Sequence, residues 1–187
     1  RCEAAGIPVV LLNRGQDDAR FSQVTSDNFA GARRVAEFLL AGGHDRIAHI
    51  AGWAGSTTGR DREAGFRAGL SAAGRAPVAV LPGDYSQARA AEAARRLGAG
   101  PERPDAIFVG NDHMAFPVMD VLRQELGLAI PGDVSVVAYD DVPAAAWGAY
   151  ALTTVRQCAA SMVEATVKVM LGLLEDPTRP AEKIALE

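Results

Sequence analysis

Apolar runs of strand length recur along this chain with stretches of helical periodicity between them, and that alternation limits the fold more than any other feature. The runs fall at residues 7–12, 46–51, 78–81, 106–109, 135–139 and 184–186. Between them, residues 28–40 place Phe29, Ala32, Val35, Ala36 and Leu39 on one helical face, with Asp27 as the expected cap and Gly42-Gly43 as the stop. Residues 60–73, 86–97, 112–126 and 157–174 complete the expected helices, and Pro117 predicts a kink a turn inside the fourth. Residues 1–6 read as the last turn of a helix ended by Gly6. The pattern predicts an α/β fold with parallel strands flanked by helices.

Composition narrows the function classes. A chain of 187 residues with 49% hydrophobic and 22% charged content is ordinary for one large or two small globular domains. The net charge is -4, and basic residues cluster no further than the pairs Arg33-Arg34 and Arg95-Arg96, which argues against nucleic-acid contact by these residues. Cys2 and Cys158 cannot form a disulfide framework, so a reducing compartment, the cytoplasm, is expected. No run approaches the roughly 20 apolar residues of a membrane span, and no export signal opens the chain. With no initiator Met and an opening that reads as the end of a helix, the chain is expected to be a piece of a longer protein.

Polar side chains stand just past the apolar runs, Asn111 after 106–109 and Asp140 after 135–139. Open α/β sheets bind ligands there. The pair Asp140-Asp141 is no glycosidase pair, because consecutive residues of an extended segment point to opposite sides, whereas such enzymes hold carboxylates facing across roughly 5–9.5 Å. A single carboxylate accepting hydrogen bonds from neighbouring hydroxyls, with Asn111 donating and accepting beside it, suits a polyol better. Asp141 has the simpler reading of a turn residue. Arg62 follows a glycine- and hydroxyl-rich loop, residues 52–59, and its planar guanidinium suits a ring oxygen and adjacent hydroxyls. That loop lacks the Gly-Lys-Ser/Thr ending of a phosphate cradle. Tyr85, after Gly83-Asp84, could offer an aromatic wall to the C–H face of a sugar. His44, His49 and His113 lack metal-ligand spacing, and Ser56 and Ser86 lie in no nucleophile elbow. Neither metal, cofactor nor catalytic machinery is expected.

Five segments, in order, carry a resemblance that spans nearly the whole chain. They are Gly43-His44-Asp45-Arg46-Ile47, Arg62-Glu63-Ala64-Gly65-Phe66, Gly110-Asn111-Asp112-His113-Met114-Ala115, Asp133-Val134-Ser135-Val136-Val137-Ala138-Tyr139-Asp140-Asp141 and Leu152-Thr153-Thr154-Val155-Arg156-Gln157. Together they resemble the sugar-binding regulatory domain of bacterial repressors of the LacI/GalR family. The resemblance implies a two-lobed, periplasmic-binding-protein-like (type I) fold with three crossovers and a ligand held between the lobes. Residues 1–24 and 157–180 would form part of a first subdomain, left incomplete, and residues 25–156 and 181–187 a complete second one. A helix-turn-helix for DNA would lie outside this chain.

The resemblance also assigns Asn13, Thr58, Arg62, Asn111, Asp140 and Gln157 to effector contact, with Tyr85 added from its own chemistry. Position 13 is more often Asp in the family, while Arg14 is kept; Ala159 stands where some relatives place an aromatic. The implied function is effector sensing: a sugar or related polyol closes the cleft and changes operator binding. A homodimer is expected, with Phe116, Met119 and Trp147 in the segments that match the pairing surface. The alternative is an exported solute-binding protein of a sugar transporter, which shares the two-lobed fold; enzymatic function is not expected.

Overall fold

A computed structural model describes residues 6–18 and 20–187. The helical turn expected before Gly6 and the side chain of Cys2 therefore lie outside the described residues. Two all-parallel sheets organise the chain. The smaller runs β1 (Val10–Leu12), β2 (Ser22–Ser26) and β8 (Lys183–Leu186), in the order β1-β2-β8. The larger contains β3 (Ile47–Ala51), β4 (Ala79–Pro82), β5 (Ala106–Val109), β6 (Ser135–Asp140) and β7 (Thr153–Arg156), in the order β4-β3-β5-β6-β7.

Helices α1 (Asn28–Ala41) and α2 (Thr57–Ala72) cover one face of the larger sheet, and α3 (Gln87–Gly98) and α4 (Asp112–Asp120) cover the other. Alternate residues of β3 serve the two layers: Ile47 packs with Leu39, Phe66 and Leu70, whereas Ala48 and Ile50 pack with Ala90, Ala94 and Met114. Contact between α1 and α2 is close enough that a Cβ on Gly65 would collide with the Phe29 carbonyl. The expected caps of α1 form: Asp27 Oδ1 accepts from Ala30 N at 2.8 Å, and Gly43 turns left-handed at φ 82°.

Strand order locates the chemistry. From β3 the chain passes through α2 to β4 on one side, while from β5 it passes through α4 to β6 on the other. The carboxyl ends of β3 and β5 thus flank a switch point, where helix-covered parallel sheets leave a crevice.

Three expectations need correction. Residues 181–187 were grouped with 25–156, yet β8 pairs with β2 in the smaller sheet, Val24 opposite Ile184. Met119 is not on a pairing surface: it is 1% exposed, because its face of α4 points into the larger sheet's core. The irregularity in α4 appears a turn after Pro117, as a π-helical turn over Val121–Glu125 in which Leu126 N donates to Val121 O at 3.1 Å. The last helix, α5 (Ala159–Glu175), lies on the smaller sheet and leaves Val163, Val167, Leu171 and Leu174 exposed.

Candidate functional site

Six of the seven residues singled out by sequence line one cavity of about 110 Å³: Asn13, Thr58, Arg62, Tyr85, Asn111 and Asp140, with Arg14 as a seventh wall residue. Gln157 reaches the same group by donating from Nε2 to Asp140 Oδ1 at 2.6 Å. Each side chain is delivered by the end of a strand or the start of a helix. Asn13 follows β1, Asn111 follows β5, and Asp140 closes β6. Thr58 and Arg62 occupy the first turns of α2, which Ser56 caps by accepting from Gly59 N at 3.0 Å.

Arg62 is the hub and is only 3% exposed. Its Nε donates to Asn28 Oδ1 at 2.9 Å, one terminal nitrogen to Gly110 O at 2.7 Å, and the other to Asp140 Oδ1 at 3.1 Å. The guanidinium carbon lies 3.8 Å from the centroid of the Tyr139 ring. Asp140 Oδ1 is therefore shared between Arg62 and Gln157, and its second oxygen is left with no hydrogen-bond partner among the described residues. Asn111 works in two directions: its Oδ1 accepts from Met114 N at 3.0 Å and caps α4, so its amide N–H groups are what it can offer the cavity.

Asp112 holds the arrangement from behind. It is fully buried and accepts from Thr154 Oγ1 at 2.6 Å and Val142 N at 2.9 Å, tying α4 to β7 and to the segment after Asp140. Burial pushes its carboxyl above the usual range, against the lowering effect of those donors and with a further upward push from Asp140. Backbone strain collects around the same cavity: Asn13, Tyr85, Asp140 and Asp141 have φ of 58°, 57°, 125° and 59°. Non-glycine residues adopt such angles at a cost, and they cluster where geometry serves function.

The loop after β1 and the start of α2 meet across the cavity. Thr58 Oγ1 donates to Asn13 O at 3.4 Å, and Gly15 N donates to Thr57 Oγ1 at 3.1 Å. Asp141 pairs with Arg156, and Arg60 pairs with Asp17 at 2.6 Å, so neither belongs to the cavity wall. Sequence reasoning passed over Asn28, Tyr139 and Asp112, which set Arg62 and Asp140 in place. Asn28 carries no signal that separates it from an ordinary helix start, whereas Asp112 stands inside a motif already singled out.

A larger apolar groove, about 560 Å³, opens at the other end of the sheet beside Phe38, Ile130 and Tyr150. Its size does not make it the better candidate. The Arg123 guanidinium there donates to the carbonyls of Ala149 and Tyr150, and much of the lining is apolar, Phe38, Leu39, Met119, Ile130 and Leu152 among it. Among the described residues no group of three His, Cys, Asp or Glu side chains is placed to hold a metal, and no helix is long and apolar enough to cross a membrane.

Known proteins share the sequence pattern and the fold. Residues 36–187 match the model of a periplasmic binding protein-like domain. The ribose operon repressor of Escherichia coli (strain K12) is 31% identical over 182 residues, covering 96% of this chain and 55% of that protein. A LacI transcriptional regulator from a Rhodococcus species superposes with a TM-score of 0.90 at 31% identity, over 99% of this chain and 68% of the other. A transcriptional regulator CelR–cellobiose complex also gives 0.90, at 32% identity, over 100% of this chain and 58% of the other. The chain spans about half the length of the curated relatives it matches, and those relatives are repressors rather than enzymes. With a domain model matched over most of its length, and a regulator of that family alike in sequence and fold, the chain belongs to the LacI family of transcriptional regulators.

Proposed function

We propose that this chain senses a small polyhydroxy effector, a sugar or a close relative, at the cavity around Asp140 and relays its occupancy to operator binding. The observation that carries the reading is convergence: residues from position 13 to position 157 meet at one strained, hydrogen-bonded cavity beside the sheet's switch point. Asp140 offers an open carboxylate oxygen and Asn111 an amide donor, the pair of groups that a vicinal diol satisfies. The names of a ribose operon repressor and of a cellobiose complex among the relatives support a sugar. In this reading the Asn13–Arg14 loop belongs to one lobe and α2, β5 and β6 to the other, and the effector sits between them. Operator contact would come from a helix-turn-helix outside these residues, in a cytoplasmic protein.

Asp140→Asn tests the site while keeping acceptors for Arg62 and Gln157. Calorimetry of the full-length protein against D-ribose, D-glucose, D-galactose and cellobiose should identify a ligand for the wild type. The variant should bind it about 10- to 100-fold more weakly, the scale of a hydrogen bond to a charged group, with operator affinity in the absence of effector unchanged. Equal ligand affinity in the two proteins would remove Asp140 from the site.

The full-length protein is proposed to be a homodimer that pairs through the α4 side of the larger sheet. Trp147 is 61% exposed there, close in sequence to Tyr150, whose ring is tilted against that of Phe116 at 4.5 Å between centroids. Exposed aromatic surface of this kind marks interfaces. Sedimentation should give a dimer for the wild type and a marked shift to monomer for Trp147→Glu; an unchanged dimer in the variant would place the interface elsewhere.

A further inference from the structure

Hydrogen bonds around Arg62 close into a circuit. Arg62 Nε donates to Asn28 Oδ1 at 2.9 Å, and Asn28 Nδ2 donates to the Ser26 carbonyl at 3.0 Å. Ser26 Oγ donates to Gln157 Oε1 at 2.8 Å, and Gln157 Nε2 donates to Asp140 Oδ1 at 2.6 Å. That oxygen also accepts from Arg62 at 3.1 Å, which completes the loop. Ser26, Asn28 and Arg62 are all buried, so a donor removed from the circuit leaves its partner short inside the fold.

The circuit passes through both places where the chain changes sheets. Ser26 ends β2 and Asn28 opens α1, where the chain leaves the smaller sheet for the larger. Gln157 stands between β7 and α5, where the chain returns to the smaller sheet. The bond from Ser26 to Gln157 thus ties one crossover to the other. Its polarity is fixed by chemistry: the Gln157 amide must turn its N–H toward Asp140, because a carboxylate accepts only, so its oxygen faces Ser26 and needs a donor there. Ser26 is not among the wall residues of the cavity, and it reaches Asp140 through Gln157 alone. The second oxygen of Asp140 takes no part, so a ligand can bind it with the circuit intact.

We infer that Ser26 is a positioning residue for signalling: its hydroxyl holds Gln157 against Asp140, and so links occupancy at Asp140 to the two crossovers on which the sheets would turn. The signalling role rests on the reading of the cavity as an effector site, whereas the circuit itself does not. A path of contacts becomes a relay when coupling is measured along it.

Ser26→Ala removes the hydroxyl in the full-length protein, and Ser26→Thr keeps it. Without ligand, hydrogen exchange at residues 140–142 and 157–162 should be about tenfold faster in Ser26→Ala than in the wild type, and near wild type in Ser26→Thr. Faster exchange confined to the neighbours of residue 26, or equal loss in both variants, would overturn the inference. Operator affinity is then measured with and without the sugar that the wild type binds among D-ribose, D-glucose, D-galactose and cellobiose. The effect of sugar on operator affinity should be about fivefold smaller in Ser26→Ala, with Ser26→Thr restoring it. An undiminished response would overturn the relay and leave the sugar reading intact. Failure of every sugar to bind the wild type would overturn the sugar reading, and the exchange measurement would still decide the circuit.

Discussion

Replacing Arg62 by alanine is expected to destabilise the protein by about 3–5 kcal/mol, the scale for removing one partner of a buried ion pair. Three donors disappear at once, leaving Asn28 Oδ1, Gly110 O and Asp140 Oδ1 short of partners inside the fold. The ring of Tyr139 loses the planar group stacked on it. Arg62→Lys should recover little, since an ammonium cannot span three acceptors in a plane. Urea unfolding of both variants checks this. A loss under about 1 kcal/mol for Arg62→Ala would show that water replaces the guanidinium easily.

Acid should weaken the protein through His49. The ring is fully buried, stacked on Phe108 at 4.7 Å and tilted over Phe66 at 5.3 Å. Nδ1 lies 2.9 Å from Phe108 O, which it reaches as a donor in the neutral tautomer, and Nε2 has no partner among the described residues. Desolvation lowers its pKa from 6.5 to about 4, outweighing the upward pull of the Phe108 carbonyl. The unfolded chain therefore takes up a proton that the folded one refuses between pH 6.5 and 4. Stability is complete above that window and falls as pH drops through it, by about 2 kcal/mol at pH 5. The raised carboxyl of Asp112 acts in the opposite sense, so the comparison must isolate the imidazole. His49→Leu should flatten the decline in urea unfolding measured from pH 7.5 to 5; an unchanged slope would assign it to other groups.

The fold was legible wherever burial writes itself as an apolar run. Residues 106–109, expected as a strand, form β5 with all four residues buried. What stayed hidden were β2 and β7, SQVTS and TTVR, which no apolar run marks. Each carries a single apolar side chain, Val24 in β2 and Val155 in β7, among polar ones. Ser22, Gln23 and Ser26 are buried in β2 through hydrogen bonds, which hydropathy does not register. The pairing of β8 with β2 was hidden for a related reason: register between strands so far apart in sequence leaves no local trace.

The candidate site was legible as a set of residues and not as a circuit. Strand-end placement and chemistry pointed to Asn111, Asp140, Arg62 and Tyr85, and the resemblance added Asn13, Thr58 and Gln157. Sequence could not say that Arg62 is spent largely on its neighbours, because that depends on Asn28 and Gly110 lying within 3 Å of it after folding. Nor could it show that the Tyr85 hydroxyl is shielded from solvent without a hydrogen-bond partner among the described residues, on a left-handed turn.

The double duty of Asn111 bears on how a protein of this kind could change its taste for ligands. One atom of that side chain closes the first turn of α4, and that helix carries Met114, Ala115 and Val118 in the core. A lineage drifting toward a new effector could accept only the few residue types that still cap a helix, Asp, Ser, Thr or Gly, without losing about 1 kcal/mol. Asn13 answers to a different demand of the fold, a left-handed backbone at φ 58° that Asn, Asp and Gly adopt most readily. Selection for new ligands would therefore be narrowed at both positions, at 111 by the cap it supplies to α4 and at 13 by the left-handed turn it holds.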